Sequence, residues 1–377
     1  MTFMKSTIHI VSFDIPFPAN YGGAIDVFHK IRCLHQKGVN VILHCFQYGE
    51  RKPSFELEQL CEKVYYYKRN TSLWNHLSLL PYNVTSRINN ELKQHLLKDN
   101  FPIIFEVLHT CYLLNDVDLK HRIKLYRHSN IEHVYFNALA KTEKSILKKI
   151  YLYIEAFKLK QFERQITNAS VILSVSKTDL EYFKTNYPSV PSYYLPSFHG
   201  FDEISITERL GKYILYHGNL SISENYQAAH WLIEHVFSKI TFPVIIAGLN
   251  PPKHLIEVIK KYTHIKLIAN CSSSEMEQLI KDAQIHCLYT EQATGLKLKL
   301  LHVAFSGKHI LCNDKMVVGT ELHNIVNLCN DYSLFEYNIT KYWDIPFGAS
   351  SINVRRSNLN SLLNIVNTEK LLNIIKL

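Results

Sequence analysis

Apolar runs of four to seven residues alternate with longer amphipathic segments along most of the chain, and this alternation leaves few folds open. A strand, a helix and a second strand in the same direction form a crossover unit, and a series of such units builds a parallel sheet covered on both faces. In the first half the spacing predicts strands at 8–13, 40–46, 63–67, 103–108, 123–126 and 169–175. Between the first two it predicts a helix over 24–37, whose Val27, Ile31 and Leu34 form one buried stripe.

The second half repeats the pattern, with strands expected at 213–217, 244–247, 265–269, 285–288 and 309–312. Helices are expected at 226–237, 252–262, 274–281 and 296–305. Residues 186–200 carry three prolines and a glycine, which is turn and linker chemistry. A chain of 377 residues is long enough for two cores. The expected domains are therefore 1–195 and 196–345, with a polar, helical tail at 346–377. Both are α/β and doubly wound, and such sheets bind ligands outside the carboxyl ends of their strands, where the two domains would face across a cleft.

Several functional classes are disfavoured. The run at 8–12 is followed at once by Asp14 and Pro16, so it lacks the apolar core of a signal peptide. No stretch approaches the roughly 18 apolar residues of a membrane span. Eight cysteines without C-x-x-C spacing, most of them inside apolar runs, fit reduced core thiols and a cytoplasmic compartment. Positive charge concentrates in residues 1–195, with 25 Lys and Arg against 17 Asp and Glu. That asymmetry suits an anionic surface or substrate, or is a solvated lysine excess. No nucleic-acid module appears, so no nucleic-acid partner is expected.

Four segments can carry chemistry. After the first strand, PFPANYGGAIDVF places Tyr21, Gly22 and Gly23 where a helix begins, either as a tight turn or as a floor for acceptor or donor phosphates. The segment LYRHSNIEHVYF sets Arg127, His128 and Glu132 after a strand. There they can orient hydroxyls and stabilise charge, or else His128 caps the strand and Glu132 pairs with Arg127. In the second half, Gly218 and Asn219 lead into a helix that could admit a pyrophosphate. Thr294, Gly295 and Leu296 open another helix whose free N–H groups attract phosphate, with Lys297 rather than Lys299 chosen to face it. Asp116 and Asp118 match the D-x-D metal pattern, but their polar loop context argues against it, and no metal is expected. Residues 141–165 read as one basic amphipathic helix, its apolar face either core or laid on anionic lipid.

Taken in order, the PxPxxYGGA loop, RHSNIEH, ILSVSKTDLEYF, HGNLSISEN, IIAGLNP and GLKLKLLHVAFSG resemble the retaining glycosyltransferases of the GT-B fold, in particular the GT4-like family, over about residues 5–340. The resemblance implies two Rossmann-like domains, a nucleotide sugar as substrate with no other cofactor, and a glycan or lipid-linked acceptor. A basic first domain would allow peripheral membrane contact. The tail would cross back to the first domain. His128 would face the sugar, and Gly22 and Gly23 would border the leaving phosphates. Gly218, Asn219, Gly248, Gly295 and Leu296 would hold the donor. The family's ribose-binding Glu is replaced by His302, which offers one acceptor nitrogen where a carboxylate offers two oxygens. A noncatalytic binding protein and a nucleotide-sugar epimerase of the same fold are the alternatives.

Overall fold

A computed structural model describes residues 6–291 and 298–376. It divides into two units, Met1–Gly200 with Asn364–Leu377, and Phe201–Leu363.

The first unit holds β1 (Thr7–Ser12), β2 (Asn40–Gln47), β3 (Lys63–Lys68), β4 (Ile103–Glu106), β5 (Lys124–Arg127), β6 (Val171–Ser174) and β7 (Ser192–Tyr194). All pair in parallel, in the order β3-β2-β1-β4-β5-β6-β7. Alternating residues feed two cores, as the pleat requires. Ile10 packs with Ile31 and Leu34 on one face, and Val11 packs with Phe105 and Tyr126 on the other. The strand order reverses between β2 and β4, on either side of β1, so the carboxyl ends of β1 and β4 flank the crevice of this sheet.

The second unit holds β8 (Ile214–Asn219), β9 (Val244–Leu249), β10 (Ile265–Ala269), β11 (Ile285–Leu288), β12 (His309–Cys312) and β13 (Asn327–Leu328). They are parallel, in the order β10-β9-β8-β11-β12-β13, with the reversal at β8.

Four features depart from the sequence expectation. The strand Ser192–Tyr194 lies inside the stretch read as linker, because three residues between Pro191 and Pro196 are too short to show periodicity. The first unit runs to Gly200 rather than 195. The chain rejoins it at Asn364 rather than 346, while the helix Ala349–Leu359 belongs to the second unit, where Arg355 donates to the carbonyls of Ala304 and Lys308. Leu371 and Ile375 of the last helix then enter the first unit's core.

The fourth departure concerns residues 141–165, which form the end of one helix, Glu132–Thr142, and then a second, Ile146–Glu163. That second helix buries Glu155 and Glu163 beside Ala156, Leu159 and Phe162. Glu155 accepts from the Tyr82 N–H at 2.7 Å, and Glu163 accepts from the hydroxyls of Tyr182 and Tyr187 at 2.6 and 2.9 Å. With its carboxylates satisfied inside, the helix turns Ile146, Leu147, Ile150, Ile154 and Phe157 to solvent, Leu147 being 81% exposed. Beside it the segment Leu73–Leu77 exposes Leu73 and Trp74, held there by Lys158 Nζ donating to the His76 carbonyl.

All eight cysteines are free thiols. Among the described residues no helix is long and apolar enough to cross a membrane.

Candidate functional site

At the crevice of the first sheet lies a cavity of about 710 Å³. The loop after β1 supplies Phe13, Asp14, Tyr21 and Gly23. Asp14 organises this loop: its Oδ1 accepts from the Ile15 N–H at 2.8 Å, and its Oδ2 accepts from the Tyr21 hydroxyl at 2.8 Å. Arg51 lies 3.4 Å from the same carboxylate and covers the Tyr21 ring at 4.7 Å. Burial, then the Asp14 charge, raises the Tyr21 phenol well above its usual range, so it stays a donor. Gly22 opens the helix Gly22–Gln36. At Gly23 a Cβ would stand 2.5 Å from Phe13 Cζ, so a larger residue there would displace the Phe13 ring. Tyr21 and Gly23 line the cavity, and Gly22 does not.

The far wall comes from β4 and β5. Val107 holds φ at 59°, a left-handed backbone rarely adopted by a β-branched residue, and its N–H donates to the Arg127 carbonyl at 2.8 Å. This turn delivers His109, whose Nε2 lies 3.3 Å from Glu132 Oε2. Ser129, Asn130, Glu132 and Tyr135 complete the wall.

Two of the three expected catalytic residues stand elsewhere. Arg127 is buried with its guanidinium 3.2 Å from Asp26, and it also donates to the carbonyls of Leu195 and Pro196. Burial alone would raise the Asp26 carboxyl, but Arg127 and Lys30 outweigh it and hold the group low. Arg127 thus ties the sheet to the Gly22–Gln36 helix instead of pairing with Glu132. His128 is enclosed, its ring 4.6 Å from Phe183 and its Nδ1 3.8 Å from Asp179. Neither ring nitrogen makes a hydrogen bond. Burial, then the Arg127 charge, pushes its pKa down to about 3, so the imidazole is neutral. The cavity wall begins one residue later, at Ser129, and Glu132 alone of the three reaches it. Asp116 and Asp118 each lie 2.8 Å from Lys93 Nζ, which bridges the D-x-D pair.

The opposite side of the cavity holds residues that no sequence motif marked: Tyr48, Arg69, Asn83 and Arg87. Arg69 follows directly on β3, so the rule that ligands gather at carboxyl strand ends could have found it; Arg87, 18 residues further on, carried no signal.

In the second unit Gly218 and Gly248 face each other across β8 and β9. A Cβ on Gly248 would meet the Gly218 carbonyl oxygen at 1.9 Å, so only glycine fits. The Asn219 side chain accepts from the Ser221 N–H at 3.1 Å and from its hydroxyl at 2.7 Å, folding the loop into the helix Ser223–His235. Lys299, in the first turn of the helix Leu298–Ser306, donates to Asn225 Oδ1 at 2.9 Å beside this loop. Thr294, Gly295, Leu296 and Lys297 lie outside the described residues. His302 stacks on Phe201 at 4.4 Å, and burial pushes its pKa down to about 4, leaving a neutral ring whose Nε2 has no hydrogen-bond partner.

These two parallel sheets have known counterparts. The N-terminal domain of Candida albicans trehalose-6-phosphate phosphatase superposes with a TM-score of 0.63 at 10% identity, covering 99% of this chain and 97% of that one. A UDP-glucosyltransferase from Polygonum tinctorium gives 0.58 at 11% identity, with all of both chains covered. The E. coli trehalose-6-phosphate protein bound with UDP-2-fluoro glucose gives 0.62 at 10% identity, covering 98% and 99%. The fold is GT-B. In sequence, an uncharacterized 44.6 kDa protein in the cps region of Klebsiella pneumoniae is 27% identical over 361 residues, 89% of this chain and 90% of that protein. No family model matches.

Proposed function

We propose that this GT-B chain is a glycosyltransferase that takes a sugar from a nucleotide donor held by the second unit and places it on an acceptor in the first unit's cavity. The observation that carries this is the cavity itself, which sits at the reversal of the sheet order in a fold shared with a UDP-glucosyltransferase and with a protein bound to UDP-2-fluoro glucose. Glu132, with His109 at 3.3 Å, is placed to accept a hydrogen bond from an acceptor hydroxyl. In the second unit the Gly218–Gly248 contact and the Asn219 turn open the backbone to a donor diphosphate, and the segment at Thr294–Lys297 would add N–H groups. His302 would bond one ribose hydroxyl through its buried, unpartnered Nε2 if the donor displaces what covers it. Retention at the anomeric carbon, with the departing diphosphate taking the acceptor proton, needs no metal. It accords with the engagement of Asp116 and Asp118 by Lys93.

A lipid-linked acceptor fits the outward apolar stripe of Ile146–Glu163. Lys144, Lys148 and Lys149 surround exposed Ile146, Leu147 and Ile150, a pairing that suits the headgroup layer of an anionic bilayer.

Incubation with UDP-, GDP- and dTDP-sugars, followed by assay of released nucleoside diphosphate in the presence of acceptor extracts, tests the transferase. Glu132→Gln should lower release by roughly 10²-fold with melting unchanged. Donor binding without release would return the chain to the noncatalytic alternative, and conversion of the donor sugar without transfer would make it an epimerase.

A further inference from the structure

The cavity wall formed by Arg69 and Arg87 carries more positive charge than the protein itself answers. Arg87 is buried, and its Nε and Nη1 donate to the carbonyls of Phe13 at 3.0 Å and Asn83 at 2.7 Å. Arg69 donates to the Ser86 hydroxyl at 2.8 Å and to the Asn83 amide oxygen at 3.4 Å, with its guanidinium 4.4 Å over the Tyr48 ring. Each of these partners is neutral. Among the described residues no carboxylate comes within ion-pair distance of either head, although buried arginines are ordinarily paired. Of the two carboxylates on the cavity, Asp14 is engaged by Arg51 and Tyr21, and Glu132 lies 3.3 Å from His109 Nε2. Burial, then the like charge of Arg69, pushes Arg87 down to about 9 in spite of the more distant charges of Asp14 and Glu132.

We infer that Arg69 and Arg87 form an anion clamp that gives this cavity an acceptor bearing a phosphoryl group, the sugar hydroxyl being presented to Glu132 on the opposite wall. The inference rests on the acceptor reading of the cavity. Two planar guanidiniums offer paired N–H donors that match phosphate oxygens, and the bound charge would replace the missing carboxylate. The aromatic rim of Phe13, Tyr48 and Phe136 leaves room for a ring or a chain beside the phosphate. Both a free sugar phosphate and the diphosphate of a lipid-linked sugar present this chemistry.

Calorimetric titration of the full chain with pyrophosphate, glucose 1-phosphate, glucose and a short prenyl diphosphate tests it, with UDP present at saturation to occupy any donor site. The phosphorylated probes should bind and glucose should not. Arg69→Gln and Arg87→Lys should each weaken binding at least tenfold, Arg69→Gln with unaltered melting because its head is half-exposed. Stronger binding of the prenyl diphosphate than of pyrophosphate identifies the lipid source, and equal binding the free phosphate. Phosphate binding that neither substitution weakens, or no binding by any phosphorylated probe, overturns the clamp. Binding that depends on both arginines with no transfer from any donor would keep the clamp and remove the transferase.

Discussion

His128 should make the folded protein sensitive to mild acid in a way that a hydrocarbon in its place would not. In the folded chain its pKa lies at about 3, because burial and the neighbouring Arg127 oppose a second charge. Once unfolded it returns to about 6.5, so below that pH the unfolded chain takes up a proton that the folded chain refuses. The folded value is depressed, so the contribution is fully present above pH 6.5 and drains away as pH falls toward 3. Between pH 7.5 and 5.5 the unfolded imidazole goes from about one-tenth to ten-elevenths protonated while the folded one stays neutral, a loss of about 1.4 kcal/mol. His128→Leu removes the titration, keeps an apolar contact for Phe183 and leaves no unsatisfied ring nitrogen. Any packing change acts equally at both pH values and cancels. Urea unfolding of both proteins at pH 7.5 and 5.5 should therefore show wild type losing about 1.4 kcal/mol more than the variant in the transition of the first unit. Equal losses, to within about 0.3 kcal/mol, would refute the reasoning. So would an imidazole resonance of His128 that titrates near pH 6 in the folded protein.

Other substitutions test other parts of the structure. Gly23→Ala should turn the Phe13 ring aside and slow transfer by crowding the cavity, with stability changed by less than about 1 kcal/mol because a helix-propensity gain offsets the ring's displacement; wild-type transfer would contradict it. Leu147→Glu combined with Trp74→Glu should abolish co-sedimentation with vesicles of mixed phosphatidylglycerol and phosphatidylcholine while leaving melting unchanged, because both side chains are exposed; retained binding would remove the stripe as a docking face. Gly248→Ala should prevent the second unit from folding, since its Cβ would meet a backbone carbonyl at 1.9 Å; soluble protein with a native spectrum would show that β8 and β9 can separate.

The strands were legible because buried parallel strands must be apolar on both faces, and runs such as IHIVS and VIIAG can do little else. Gly23 and Gly248 read from sequence as ligand-facing glycines, and what lies against them in the fold is the Phe13 ring at the first and the Gly218 carbonyl at the second. What stayed hidden depended on partners distant in sequence. Nothing in KLYRHSNIEH says that Arg127 will find Asp26, or that the wall will start at Ser129. The apolar face of Ile146–Glu163 reads from sequence as either core or lipid-facing, and Tyr182, Tyr187 and Tyr82, distant in sequence, draw its glutamates inward and leave most of that face to solvent. Arg69 and Arg87 come together only because β3 and the helix Tyr82–Thr85 end beside one another, 18 residues apart in the chain.

The return of the last helix to the first unit has a consequence for biosynthesis. Asn364 exchanges hydrogen bonds with the His199 backbone at 3.2 and 2.6 Å, and Leu371 and Ile375 fill a core otherwise built from residues before 200. On the ribosome, the first unit therefore keeps part of its interior uncovered until Asn364–Ile375 has emerged. The intervening span, Phe201–Leu363, is continuous and can complete itself first. The first unit is thus the later of the two to close, and until then its uncovered interior is open to proteases and chaperones.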